Sequence, residues 1–133
     1  MLPGSLKLRV LVVDDNHDAA DTLGDLLRLC GADVQVCYSA EEALELILAF
    51  PLDAGLLDIH MPGMDGCELA KRLRESMCPR RVLLVALTGV SDAAARQRTA
   101  EAGFDLHLTK TVAPEVLTAA LSAFEEWMKE HPG

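Results

Sequence analysis

The chain has no surplus of positive charge: 12 lysines and arginines stand against 21 aspartates and glutamates, for a formal net charge of −9. A broad basic surface for nucleic acid or an anionic membrane is therefore disfavoured, and protein or cation partners fit the balance better. No apolar run approaches the roughly 18 residues that a bilayer-spanning helix needs, and the N-terminus lacks the basic-then-apolar layout of a secretory signal. The chain accordingly reads as cytoplasmic, without a membrane span. Its four cysteines, Cys30, Cys37, Cys67 and Cys78, show no CxxC spacing. That pattern sets aside a zinc site or a disulfide framework and leaves reduced, mostly buried thiols. Internal repeats, low-complexity tracts and linkers are also missing. What remains, 133 residues that are 50% hydrophobic, suffices for one well-filled core in one domain.

Apolar runs alternate with amphipathic segments from end to end, the pattern of a parallel sheet flanked by helices. Strand-like runs are Leu8 to Val13, Val34 to Cys37, Ala54 to Leu57, Val82 to Leu87 and Leu106 to Leu108. The first and fourth are apolar throughout and are expected at the centre of the sheet. Helices are expected over about His17 to Cys30, from Ser39 to Phe50 before Pro51, over Gly66 to Glu75, over Asp92 to Ala102 before Gly103, and from Pro114 to Lys129. Ser39-Ala-Glu-Glu42 is a capping box, Gly31 a C-terminal stop and Pro114 a first helical position. Residues 1–6 read as a leader or expression remnant, 7–130 as the single domain and 131–133 as a frayed tail.

In open parallel sheets ligands bind beyond the carboxyl ends of the strands, and here those ends are polar. The first strand runs into Asp14-Asp15, the third into Asp58, the fourth into Thr88-Gly89 and the fifth into Thr109-Lys110. The second ends in Tyr38-Ser39, which reads as a cap only. With the strand order 2-1-3-4-5, borrowed from known doubly wound sheets, the three carboxylates meet in one pocket with Thr88 and Lys110 alongside. Three carboxylates that close repel one another, so a cation is required. Oxygen ligands without clustered His or Cys favour a hard ion, and a few carboxylates beside open water positions suit Mg²⁺ better than a caged Ca²⁺. Each element also has a plainer reading. Asp15 or Asn16 can cap the next helix, Asp58 can open a turn with Pro62, Gly63 and Gly66, and a lone Thr or Lys at a strand end can be surface.

Taken together, VLVVDDN at the first strand, LLDIHMPGMDG at the third, ALTG at the fourth and HLTK at the fifth resemble the receiver (phosphoacceptor) domain of bacterial two-component response regulators. The likeness runs from about Lys7 to Lys129. It implies a flavodoxin-like α/β fold, a single doubly wound five-stranded parallel sheet with five helices. It further implies Asp58 as phosphoacceptor, Lys110 as the lysine paired with the phosphoryl group and Thr88 as the switch hydroxyl. Mg²⁺ would be held by Asp15, Asp58 and the His60 backbone carbonyl, with Asp14 acting through water. The implied partner is a sensor histidine kinase or histidine phosphotransfer protein, with a downstream protein target or fused kinase domains receiving the signal. Such a domain phosphorylates and dephosphorylates itself rather than turning over a substrate. It would stand alone or be excised from a hybrid histidine kinase.

Two departures from the family pattern are visible. Thr111 follows Lys110 where the family usually has a proline, commonly after a cis bond, and His107 stands where a rotating Tyr or Phe is frequent. An imidazole titrates near neutral pH, so His107 gives partner affinity a possible pH dependence, against the plainer reading of a half-exposed strand histidine without a role. These departures motivate the alternative of a degenerate receiver acting as a phosphorylation-independent interaction module. A haloacid-dehalogenase-like phosphohydrolase fits less well, because its D-x-D-x-T loop is absent and no cap domain can be accommodated. A flavodoxin-type cofactor binder would meet carboxylates where its phosphate loop needs donors. Ala20 and Gly24 are expected on the outer side of the first helix, opposite Leu23 and Leu27, as room for a partner helix. His17 and His131 read as solvated, Met61 and Met64 as loop packing, and Trp127 as packing far from the acidic cluster.

Overall fold

A computed structural model describes residues 6–77, 81–89 and 92–131. Residues 1–5 of the expected leader 1–6, Cys78 and the last two residues of the tail lie outside them. Among the described residues are five strands, β1 (Arg9–Val13), β2 (Asp33–Cys37), β3 (Ala54–Asp58), β4 (Leu83–Thr88) and β5 (Leu106–Thr109). Five helices alternate with them: α1 (His17–Leu29), α2 (Ala40–Leu46), α3 (Gly66–Met77), α4 (Ala93–Ala102) and α5 (Pro114–Glu130). The strands form one parallel sheet in the order β2-β1-β3-β4-β5.

Side chains alternate across that sheet and fill a core on each face. Leu11, Val13, Leu57, Leu84 and Ala86 meet Ala40 and Ala43 of α2, Leu69, Ala70 and Leu73 of α3, and Ala102 of α4. On the other face Val10, Val12, Leu56, Val85 and Leu87 meet Ala20 and Leu27 of α1 and Leu117 and Leu121 of α5. Leu6 is fully buried and its N–H donates to the Cys30 carbonyl at 2.9 Å, so packing begins inside the stretch assigned to a leader. Cys37 is buried, and burial together with the Glu42 charge pushes its thiol up to about 11; Cys30 and Cys67 are half-buried.

Helix starts are secured by side-chain caps, expected at Ser39 and at Asp15 or Asn16 but not at Asp92. The Asn16 side chain accepts from Ala19 N–H, Ser39 from Glu42 N–H and Asp92 from Ala95 N–H, and Gly103 closes α4 in the left-handed conformation. Glu42 completes its box one residue early, accepting from Tyr38 N–H at 3.2 Å.

β3 holds the middle of the sheet, and β1 and β4, expected at its centre, lie on either side as interior strands. Gly55 leaves room for a side chain of the neighbouring strand, since a Cβ there would lie 3.0 Å from Leu84 Cδ2. Two expectations are corrected. α2 ends at Leu46, and the chain reaches Phe50 through turns in which Leu48 and Ala49 bond back three residues to Glu45 and Leu46, before Pro51 removes the next donor. Finally, Ala20 and Gly24 face the sheet with Leu27, an i, i+4, i+7 stripe, and so leave no room for a partner. A Cβ at Gly24 would sit 2.7 Å from Val36 Cγ2, so the small residues serve close approach of α1 to β2.

Gly24→Ala therefore sets a helix-propensity gain of about 1 kcal/mol against overpacking that typically costs about 1–3 kcal/mol. A net loss of stability is expected in urea denaturation, and a variant more stable than wild type would contradict this packing.

Candidate functional site

β1 and β3 are neighbours, so their carboxyl ends place Asp14, Asp15 and Asp58 together, each offering an oxygen within 4.8 Å of the others. Local structure sorts the three. Asn16 takes the α1 cap, which leaves Asp15 exposed at the pocket mouth. Asp14 is 5% exposed, its Oδ1 accepting from Asn16 N–H at 3.0 Å and its Oδ2 from Lys110 Nζ at 2.8 Å. Asp58, the last residue of β3, is also 5% exposed; its Oδ1 accepts from His60 N–H at 3.2 Å and lies 3.5 Å from Lys110 Nζ.

Lys110 reaches this pocket from just beyond β5, its own N–H bonded to the Thr88 carbonyl at 2.7 Å. The Lys110–Thr111 peptide is cis although no proline follows. Thr88 is fully buried at the end of β4. Met61 and Met64 pack beneath the loop after β3.

Burial pushes the Asp58 carboxyl up to about 6, and the nearby Asp14 carboxylate adds to the shift against the opposing His60 N–H and Lys110. For Lys110, burial alone acts downward, but the bond to Asp14 and the charges of Asp58 and Asp14 outweigh it and leave the ammonium's pKa raised. One ammonium against three carboxylates leaves a negative imbalance in an all-oxygen pocket. That donor set suits a hard divalent cation.

Asp14, Asp15, Asp58 and Lys110 are thus brought into contact range, with Thr88 on the adjacent strand end. His107 is elsewhere, half-buried and 3.0 Å from Thr99 on α4. His17 is exposed with its ring stacked on Tyr38 at 3.8 Å, and the Tyr38 hydroxyl donates to Asp21, so Tyr38 does more than precede a cap. Trp127 lies near the amino ends of β4 and β5, between Arg81, 4.8 Å from its ring, and the stacked His131.

Two features escaped the sequence reading. Gly66 is more than a turn residue: a Cβ there would stand 2.5 Å from the Asp58 carbonyl oxygen and 2.7 Å from Ile59 Cα, so it lets α3 start hard against the backbone that carries Asp58. The other is a groove of about 580 Å³ beside Lys110, lined by Ala19, Thr22, Leu23 and Leu26 of α1 and by Val112 and Leu117. Its α1 wall is a second i, i+3, i+4, i+7 stripe, one residue round from the buried one.

The family model for the response regulator receiver domain matches residues 10–122. The chain is 33% identical over 120 residues to a gliding motility regulatory protein of Myxococcus xanthus, covering 90% of this chain and 15% of that one. It is 34% identical over 118 residues to the response regulator MprA of Mycobacterium ulcerans, covering 89% and 50% respectively. The chain thus spans half or less of the length of these two relatives. Among solved structures, a CheY-like response regulator receiver domain protein from Methanospirillum hungatei superposes with a TM-score of 0.83 at 26% identity, covering 94% of this chain and 99% of that one.

The raised Asp58 carboxyl fixes the sign of a pH effect. Its folded value of about 6 exceeds the ordinary 3.8, so in chelator the folded state binds this proton more tightly. The contribution is gained as pH falls through that window and lost as pH rises through it. Asp58→Asn removes the charge, and the metal-free variant is expected to exceed wild type by about 1–3 kcal/mol at pH 7.5, the gap closing toward pH 4. Urea denaturation at both pH values checks this; equal stability of the two proteins throughout would contradict the electrostatic account.

Proposed function

This chain belongs to the response regulator receiver family of two-component signalling, and on that footing we propose that it accepts a phosphoryl group onto Asp58 from a phosphohistidine partner. The observation that carries the reading is the buried Asp58 carboxylate at the base of an acidic pocket, 3.5 Å from Lys110 Nζ and beside Asp14 and Asp15. Phosphoryl transfer to a carboxylate is mainly a matter of positioning and charge neutralisation, because nucleophile and target are both negative. Mg²⁺, bound by Asp15, Asp58 and the His60 carbonyl with Asp14 acting through water, would supply the missing positive charge and orient the phosphoryl oxygens.

The chain's own groups do the rest. An Asp58 oxygen attacks phosphorus as the bond to the donor imidazole nitrogen breaks; the electron pair stays on that nitrogen, and the product is an acyl phosphate on Asp58. Lys110 keeps its ammonium charged and pairs with the transferred oxygens. Thr88 would turn its hydroxyl toward the new phosphoryl group, which carries close to two negative charges. That movement biases an existing equilibrium and changes which protein surfaces the domain presents. Attack of water on the same phosphorus returns Asp58 and releases phosphate.

The donor is a sensor histidine kinase or histidine phosphotransfer protein, and the groove beside Lys110 offers it an apolar wall next to the reacting carboxylate. The signal passes to a downstream protein or to domains fused to this one. A net charge of −9 argues against direct nucleic-acid contact, and among the described residues no helix is long and apolar enough to cross a membrane.

Intact mass after incubation with acetyl phosphate tests nucleophile and metal together. A single phosphoryl adduct is expected with Mg²⁺, absent in chelator and in Asp58→Asn, and formed at least tenfold more slowly in Lys110→Ala. No adduct under rapid quenching, with a phosphohistidine donor as well, would overturn the proposal in favour of a phosphorylation-independent interaction module.

A further inference from the structure

His107 and Thr99 join the middle of α4 to the edge strand β5. Thr99 is 1% exposed, and its Oγ1 has two neighbours at 3.0 Å, the Arg96 carbonyl and His107 Nδ1. A threonine hydroxyl owns one proton, and a carbonyl can only accept. Both contacts are hydrogen bonds only if the hydroxyl donates to Arg96 and His107 Nδ1–H donates to the hydroxyl. The imidazole tautomer follows from that geometry. Adding a proton at Nε2 leaves the Nδ1 donor in place, so the bond does not depend on the ring being neutral.

The bond matters because the side chains α4 buries beside it are small. α4 buries Ala95, Thr99 and Ala102, whereas α3 buries Leu69, Ala70 and Leu73 on the same face. Across the sheet His107 pairs with Ala86 of β4, two residues before Thr88, and both Ala86 and Thr88 are fully buried. Residues two apart on a strand share a face, so His107, Ala86 and Thr88 all lie on the side that α4 covers.

We infer that the His107–Thr99 hydrogen bond is a latch that holds α4 against β5 in the unphosphorylated protein, making both residues positioning residues for the switch at Thr88. The inference rests on the phosphoacceptor reading for its coupling to Asp58, but the latch itself is a property of the resting fold. Thr88 is followed by the connection into α4, so a move of Thr88 toward a phosphoryl group strains the helix seat, and the latch opposes it. Opening the latch lowers the cost of the active arrangement. A fixed imidazole here also differs in kind from a ring that swings freely at the sheet edge.

The test compares wild type with Thr99→Val, which keeps the shape and loses the hydroxyl, and Thr99→Ser, which keeps the hydroxyl. Hydrogen exchange of the resting protein is expected to show α4 amides exchanging roughly 3- to 10-fold faster in Thr99→Val, with α1 and α5 unchanged and the serine variant close to wild type. Affinity for beryllofluoride with Mg²⁺, a phosphoryl mimic, is expected to rise by a similar factor in Thr99→Val. Unchanged α4 exchange in Thr99→Val overturns the latch. Faster exchange with unchanged beryllofluoride affinity overturns its role in the switch and leaves a packing bond. Should wild type itself fail to bind beryllofluoride, the phosphoacceptor reading fails, and the exchange comparison still decides the latch.

Discussion

Three carboxylates set against one ammonium form the constraint on which this structure depends. Asp14 and Asp58 are almost wholly removed from water, and Lys110 is the cation that touches both. In an ordinary core such an arrangement would be a defect, because buried like charges raise one another's cost of ionisation. It persists because the sheet is built to hold it. β1 and β3 are adjacent and parallel, so their ends cannot be separated without losing the central pairing of the domain. The electrostatic cost is therefore carried by the fold and is available to be relieved by a cation or redirected by a change of charge at Asp58.

Around that pocket, small details fix the carboxylates. Asn16 caps α1, which frees Asp15 from that task, and its N–H also orients Asp14. His60 N–H does the same for Asp58. Gly66 lets α3 begin against the Asp58 backbone, where any side chain would have to displace the main chain that carries this carboxylate. Lys110 is tied through its N–H to the Thr88 carbonyl, so the ammonium and the Thr88 hydroxyl share one support. With Thr111 in place of the proline that the family usually carries, Lys110 is still directed into the pocket, 2.8 Å from Asp14.

Much of this was legible in the sequence because the signals are local. Alternating strand and helix patterns gave five of each, the capping box at Ser39 announced a helix start, and the polar residues closing four strands marked one edge as the site. The strand order itself was borrowed. What was not legible depends on distances between elements. Nothing in the sequence said that Gly55 of β3 makes room for the Leu84 side chain of β4. Ala20 and Gly24 looked like a vacancy on a surface, yet the same smallness brings α1 onto Val36. Small size in a sequence says that something comes close, but not from which side. The His107–Thr99 bond was illegible for a related reason: it joins a strand and a helix whose facing is set only by the packed sheet.

The two helices that follow β3 and β4 share one face of the sheet but bury unlike side chains against it, leucines from α3 and small residues from α4. α3 is anchored by leucines and by Arg74, whose guanidinium donates to the Gly103 and Val82 carbonyls and to Asp105. Those bonds also fasten the carboxyl end of α4, because Gly103 is its cap, and the Asp105 carboxylate is in turn held by the Leu84 N–H. At the amino end of α4 Asp92 caps the helix by accepting from Ala95 N–H at 2.8 Å, and Ala95 is buried. The carboxyl end of α4 is thus tied to α3 and to the sheet through Arg74 and Asp105, whereas its amino end follows directly from the strand end that carries Thr88. β1 and β3, whose ends hold Asp14 and Asp58, are interior strands paired on both sides, so the carboxylates stand on the most fully paired part of the sheet while α4 rests on its rim.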